Sequence, residues 1–300
     1  MHNKIVVIGS SNTDMVLKTK RFPKPGETIL GGDFFVFQGG KGANQAVAAA
    51  RLGGKVSFIC KVGNDAFGNA AIAAYAADGI DISGVLQHET APTGVAVITI
   101  NNEGENMIIV ASGANALLGI DDLKNAGAIL SAADWLITQL ETPMPAIEYI
   151  AAYSKDHKKN LILNPAPAAT LPETVYAGLF LITPNESETA LLTGIEVSDE
   201  ATATQAAAIF KSKGVQNVII TMGSQGAYVS TNEYQGMVES VKVKAVDTTA
   251  AGDVFNGALV VALAEGKTWQ EAVLFACRAA AVSVTKMGAQ QSAPYRKEIN

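Results

Sequence analysis

The chain reads as an α/β protein: a doubly wound, mostly parallel sheet flanked by helices, with a small β-sheet lid inserted in the N-terminal half. Three observations predict this. Short β-branched apolar runs alternate with Ala-rich helical patterns along most of the length, as parallel strands buried on both faces require. Two stretches, 14–37 and 94–111, break the alternation with turn signals and no helical period. Polar or Gly-rich segments follow several of the apolar runs, where open α/β sheets place their ligands.

The elements follow in order. Ile5–Ile8 is the first predicted strand, and Gly9-Ser10-Ser11-Asn12 lies just beyond it. The first lid stretch ends before a helix predicted over Ala43–Leu52. A strand over Val56–Val62 and a helix over Gly68–Asp78 come next. In the second lid stretch, Asn101-Asn102-Glu103-Gly104 marks a hairpin turn. Strands are then expected over Trp135–Gln139, Leu161–Asn164, Leu179–Thr183 and Val218–Met222. Helices are expected over Ala146–His157, Ala201–Lys213 and Ala272–Val284. Residues 1–300 are read as a single unit, without an internal repeat or a low-complexity linker.

Bulk properties narrow the function. The chain has 300 residues, of which 48% are hydrophobic and 17% charged, which describes a well-packed soluble protein. A formal net charge of −6 argues against nucleic acid as the main partner. No apolar run is long enough to span a membrane. Cys60 and Cys277 stand far apart without metal-ligand spacing, so free thiols and a cytoplasmic location are expected. His2, His88 and His157 have no motif around them, which leaves a carboxylate as the candidate base.

The stretch VDTTAAGDVFNGALVVALAEG, residues 246–266, is the most informative. Val254, Phe255, Ala258, Leu259, Ala262 and Leu263 form an apolar helical face, and Gly266 suits the C-terminal cap. The helix therefore starts near Ala251 or Gly252. Its first N–H groups lack internal acceptors, and small residues let an anion approach them closely. Asp253, in the first turn, is placed to take a proton from an incoming hydroxyl while the donors hold a transferred phosphoryl group. The stretch alone leaves open an Asp that serves only the helix dipole, with Thr248 or Thr249 as cap.

A second constellation is QGGKGANQAVAAARLGG, residues 38–54. It lacks P-loop spacing. Its glycines would let a polyol lie against the backbone, with Lys41 and Asn44 donating to its hydroxyls; an ordinary Gly-rich helix entry is the alternative. Asn12 and Asp14 are suited to grip vicinal hydroxyls, and Glu141 to accept from the same ligand. Asn185 and Glu188 share a helix face and would organise water and Mg²⁺ near phosphates, or simply cap the helix.

With these residues assembled, the chain resembles the ribokinase-like family of sugar kinases over essentially its whole length. GGKGANQA (39–46) and DTTAAGD (247–253) carry the likeness, supported by GSSNTD (9–14), TPNESE (183–188), TMGSQGAY (221–228) and GAQQSAP (288–294). The resemblance implies ATP-dependent phosphorylation of D-ribose at its 5-hydroxyl, with Mg²⁺ bridging the nucleotide phosphates. It implies Asp253 as catalytic base and Ala250, Ala251 and Gly252 as anion hole. Asn12, Asp14, Gly39, Gly40, Lys41, Asn44 and Glu141 would hold the sugar. Asn185, Thr221, Gly223, Ser224 and Gly226 would lie along ATP, with Gly252 beside its phosphates, and Glu188 would act on the metal.

The family also implies a K⁺ site, here at Asp247, Thr249, Ser283, Lys286, Gly288 and Ser292, and a homodimer formed through the lid. Cys277 stands near the adenine position, where a histidine is common in the family. Lid residues Ile108 and Val110 are expected to pack on the sugar. A kinase of 2-deoxyribose or another sugar, and a non-catalytic sugar sensor on the same scaffold, are the alternatives. A nicotinamide dehydrogenase is disfavoured, because Gly-x-Gly-x-x-Gly is missing after the first strand.

Overall fold

The computed structural model describes residues 3–299, so His2 lies outside the described residues. From the N-terminus, β1 (Lys4–Ile8), β2 (Asn12–Lys18) and β3 (Phe34–Gly39) precede α1 (Lys41–Arg51). β4 (Lys55–Gly63), α2 (Ala66–Ala77) and β5 (Asp81–His88) follow, then β6 (Gly94–Ile100) and β7 (Asn106–Ala111). The middle of the chain holds α3 (Ile120–Asn125), α4 (Gly127–Ala132), β8 (Trp135–Thr138), α5 (Met144–His157) and β9 (Asn160–Leu163). α6 (Glu173–Tyr176), β10 (Leu181–Ile182), α7 (Glu186–Thr193), α8 (Glu200–Ser212) and β11 (Asn217–Thr221) come next. The chain closes with β12 (Ala227–Ser230), β13 (Gln235–Val238), α9 (Ala251–Ala264) and α10 (Trp269–Ser283).

The large sheet has the order β13-β12-β11-β10-β9-β8-β1-β4-β5, parallel from β11 to β5 and antiparallel across β11, β12 and β13. Alternate side chains feed two cores. Ile5 and Val7 pack with residues of α1, α2, α9 and α10, whereas Val6 and Ile8 pack with residues of α3, α5 and α8. Each such side chain withdrawn from water contributes about 1.5–3 kcal/mol, so burial on both faces fixes the register. Three strands went unread in the sequence. β5 is an edge strand with half its residues polar, and β12 and β13 are four residues each. The strand expected over Leu179–Thr183 shrinks to Leu181–Ile182, followed by a single bridge from Asn185 to Thr221.

A second sheet, β3-β2-β6-β7, comes from the two stretches that broke the helical alternation. β2 and β6 run parallel and the outer pairs antiparallel. The hairpin turn forms where the sequence signals it: the Asn101 side-chain Oδ1 accepts from the Glu103 and Glu105 N–H groups, at 3.0 and 2.9 Å.

Two close approaches position the site. A Cβ on Gly257 of α9 would stand 2.7 Å from the Gln45 carbonyl and 2.8 Å from the Ala48 Cβ, so glycine lets α9 lie directly on α1. Gly40 caps α1 at φ 89°, which turns the chain from β3 into the helix and starts that helix at Lys41, two residues earlier than the sequence suggested. The N-termini of α1 and α9 thereby meet over the carboxyl ends of β1, β8, β9 and β10.

Candidate active site

α9 begins at Ala251, with Ala250 as N-cap at φ 61°, ψ 12° and no side-chain cap. Thr248 and Thr249 therefore do not cap this helix with their side chains. A left-handed alanine costs about 1–2 kcal/mol, a strain held where the helix end must stay open. The Ala251 N–H turns back to the Thr248 carbonyl at 3.2 Å, while the N–H groups of Gly252 and Asp253 have no backbone or side-chain acceptor among the described residues. These unspent donors stand at the positive end of a 14-residue helix, a corner whose chemistry suits an anion.

Asp253 lies just inside that corner and is buried. Its Oδ2 accepts from Asn44 Nδ2 at 2.9 Å and its Oδ1 from Gln45 Nε2 at 3.0 Å. Burial pushes its pKa up, opposed by Lys41 and the two amides and reinforced by Glu141. A cavity of about 230 Å³ opens beside it, lined by Lys41, Asn185, Glu188, Thr221, Ala250, Ala251 and Gly252 among others. Asn164, Thr183 and Asn256, which the sequence reading did not single out, also line it. Thr183 Oγ1 donates to Asn256 Oδ1 at 2.6 Å, and Asn256 Nδ2 donates to the Gly252 carbonyl at 2.8 Å, bracing the corner from within.

A second cavity, about 370 Å³, is lined by Asn12 and Glu141 together with Val110, Asn115, Thr142 and Pro167. Asn12 and Asp14 lie on β2 rather than in a turn, and their i, i+2 spacing sends both side chains to one face of the small sheet. Asn115 fixes Asn12 by donating to its Oδ1 at 2.7 Å while accepting from the Ser11 N–H at 2.9 Å. Asp14 packs on Gly39, where any Cβ would collide with its carboxylate. Burial, then the charges of Glu141 and Asp253, push the Asp14 pKa up to about 7, against the pull of Lys41. Glu141 accepts from Ser10 Oγ at 2.5 Å and from the Lys41 N–H at 3.0 Å, which seats it at the start of α1. Burial works against the Lys41 charge, yet Asp253, Glu141, Glu188 and Asp14 together raise its pKa; Lys41 itself lines the smaller cavity.

The remaining candidates are placed less uniformly. Asn185 and Glu188 form a reciprocal capping box on α7, with Glu188 N donating to Asn185 Oδ1 at 2.8 Å and Asn185 N to Glu188 Oε2 at 2.9 Å. Glu188 nonetheless borders the smaller cavity, and burial raises its pKa. Gly223 and Ser224 are exposed in a short turn after β11. Gly226 is buried at φ 108°, where a Cβ would meet the Val238 carbonyl at 2.1 Å, so the hairpin itself demands this glycine. Cys277 is buried in the core on α10, its thiol pushed up to about 12, and borders neither cavity. Val110 borders the larger cavity, whereas Ile108 does not.

Asp247 joins two loops. Its Oδ1 accepts from the Thr249 N–H and its Oδ2 from the Gly288 N–H, each at 2.9 Å. Burial opposes its charge, but Thr249 and the Gly288 N–H outweigh burial and lower its pKa. The hydroxyls of Ser283 and Ser292 donate to carbonyls of their own helical turns, and Lys286 Nζ pairs with Glu298 at 2.6 Å. Among the described residues no cluster of three or more His, Cys, Asp or Glu side chains is arranged to hold a metal ion.

Comparison with known proteins gives a consistent result. Residues 2–296 match the pfkB family of carbohydrate kinases. The chain is 44% identical over 298 residues to the ribokinase of Haemophilus influenzae, covering 99% of this chain and 97% of that protein. It is 36% identical to the deoxyribokinase of Salmonella typhimurium, covering 99% and 97%. The structure of Arabidopsis thaliana ribokinase complexed with ribose and ATP superposes with a TM-score of 0.91 at 32% identity, covering 100% of this chain and 98% of that one.

Proposed function

The chain belongs to the pfkB family of carbohydrate kinases, and we propose that within it the protein transfers the γ-phosphoryl group of ATP to the 5-hydroxyl of D-ribose. One observation carries the mechanism: a buried carboxylate, Asp253, beside N–H donors left open at the head of α9. The sugar reaches from the larger cavity, bordered by Asn12 and Glu141, toward Asp14, Lys41 and the Gly39-Gly40 backbone. Asn44 keeps one amide hydrogen for Asp253 and offers its buried, unpartnered Oδ1 to a sugar hydroxyl. Asp253 takes the hydroxyl proton as the oxygen attacks. The Gly252 and Asp253 N–H groups and the Lys41 ammonium stabilise the charge on the phosphoryl group in flight.

ATP lies over the smaller cavity along Asn185, Thr221 and Gly223. Glu188 has one carboxylate oxygen in the capping box and the other uncommitted, which suits it to hold Mg²⁺ through water. Mg²⁺ supplies charge neutralisation on the phosphate oxygens when bound. Asp247, kept ionised, together with carbonyls of its own loop and the 283–292 segment, suits K⁺, which would stiffen the corner leading into α9. The apolar outer face of the small sheet supports a homodimer, and two buried free cysteines suit a reducing cytoplasm.

A coupled ADP-release assay over ribose, 2-deoxyribose and hexoses tests the reading. Ribose is expected to have the highest kcat/KM; a preference for 2-deoxyribose would transfer the substrate assignment to the other relatives' activity. Asp253→Asn is expected to bind ribose normally and lose turnover by roughly 10²–10⁴-fold. Near-wild-type turnover in that variant would remove the base from the mechanism, and absent turnover by the native protein would favour a sensor.

A further inference from the structure

Gln45 has no solvent exposure, and its amide is fully committed. Nε2 donates to Asp253 Oδ1 and to Asn164 Oδ1, both at 3.0 Å, while Oε1 accepts from Gln139 Nε2 at 2.6 Å. Turning the amide over would face its carbonyl oxygen toward two acceptor oxygens and its NH₂ toward another NH₂. The donors are therefore fixed on the carboxylate. Gln139 stands one residue beyond β8 and Asn164 one beyond β9, so two strand ends hold the α1 amide that holds one carboxylate oxygen.

The charges around Asp253 do not all favour its ionised form. Lys41 on α1 favours the anion, whereas Asp14 on β2, Glu141 after β8 and Glu188 on α7 oppose it, as does burial. Two amide donors, from Asn44 and Gln45, join Lys41 in favouring the charged form against the upward push of burial.

We infer that Gln45 is a positioning residue for phosphoryl transfer: held by Gln139 and Asn164, it fixes the orientation of the Asp253 carboxylate and keeps it in the anionic form that accepts the sugar proton. The inference rests on the reading of Asp253 as the base. Gln45 lines neither cavity, so its loss should act on the chemical step and its pH dependence rather than on sugar affinity.

The test is the pH profile of Gln45→Met, which keeps the length of the side chain and removes its donors. Expected are a fall in kcat of about 10–100-fold, a ribose KM within about 3-fold of wild type, and an acidic limb of kcat/KM raised by about one pH unit. Gln139→Met, one step further out, should move the limb in the same direction by less, and the double variant should add little to Gln45→Met. Asp14 is coupled to the Asp253 charge, so the Gln45→Met and Gln139→Met profiles are repeated in an Asp14→Asn background, where the shift of the limb should persist.

A folded Gln45→Met whose acidic limb stays put would overturn the inference. If that variant does not fold, an unmoved limb in Gln139→Met overturns it instead. Asp253→Asn measured in parallel separates the two failures: an active Asp253→Asn sinks the base itself, whereas an inactive one with unmoved glutamine variants sinks only the role of Gln45.

Discussion

β1 and β7 are both short, largely apolar strands with opposite fates. Ile5, Val6, Val7 and Ile8 are at most 1% exposed, whereas Met107, Ile108, Ile109 and Val110 are 50–71% exposed. β1 has a strand on each edge and helices over both faces; β7 is the rim of a four-stranded sheet with no helix layer of its own. The functional groups divide the same way. Asp253, carried by the helices over the large sheet, has both carboxylate oxygens engaged. Asp14, on the small sheet, is buried by its neighbours with no hydrogen bond contributing to its titration. One end of the site is thus complete before any ligand arrives, and the other is left for the ligand to complete. On the function proposed above, the large sheet prepares the chemistry and the small sheet waits for the sugar.

That division predicts where substitutions register. Asp14→Asn should lower kcat/KM for ribose by roughly 10–100-fold, almost wholly through KM, because it removes an acceptor for sugar hydroxyls and leaves Asp253 in place. Asp253→Asn should do the reverse and spare KM. Steady-state kinetics on both variants decide the matter; an Asp14→Asn that lost kcat with KM unchanged would erase the distinction between the two ends.

Most of the large-sheet end was legible in the sequence. Strands buried on both faces leave continuous apolar runs, and a helix that opens on Ala-Ala-Gly-Asp advertises its bare N-terminus. Gln45, Asn164 and Asn256 were missed because each stands alone in an apolar or strand-end context, where a polar residue reads as noise until its partner is known. The available signal was Asn256 in the middle of the apolar α9, since a buried amide must find a partner. Asn115 gave no local signal at all, because its role depends on contact with residues about a hundred positions away. Gly226 shows the converse: its motif suggested a nucleotide contact, and the hairpin explains the residue without one.

The unfinished end should also carry a measurable stability cost. Asp14 titrates near 3.8 when unfolded and near 7 when folded, so the folded state holds the extra proton between those values. Stability therefore falls as pH rises through that window, and the loss is complete above about 7. Asp14→Asn lifts the penalty. Its Tm should exceed wild type by about 3–6 °C at pH 8, with the gain fading toward pH 4. Ribose, whose hydroxyls donate to the charged form, should raise the wild-type Tm at pH 8 and the variant's much less. A thermal-shift series over pH checks both signs, and a variant less stable than wild type at pH 8 would mean that Asp14 is already satisfied within the protein.

The smallest effect is expected on the outer face of the small sheet. Register places Val36, Met15, Val97 and Ile109 in one row across its strands, on the face opposite Asp14, Ala96 and Val110. Val36 and Val97 are 46% exposed and Ile109 is 71% exposed. Ile109→Ser gives up little burial within one chain, so its Tm at low protein concentration should stay within about 1 °C of wild type. If this row meets its counterpart in a second subunit, the same substitution places a hydroxyl in an apolar contact, and sedimentation equilibrium should show the mass falling toward that of one chain. The opposite face would then lose its support, and the ribose KM should rise modestly while kcat holds. An unchanged mass with an unchanged KM would show that the small sheet keeps its shape unaided, and that its open face takes no part in completing the sugar end of the site.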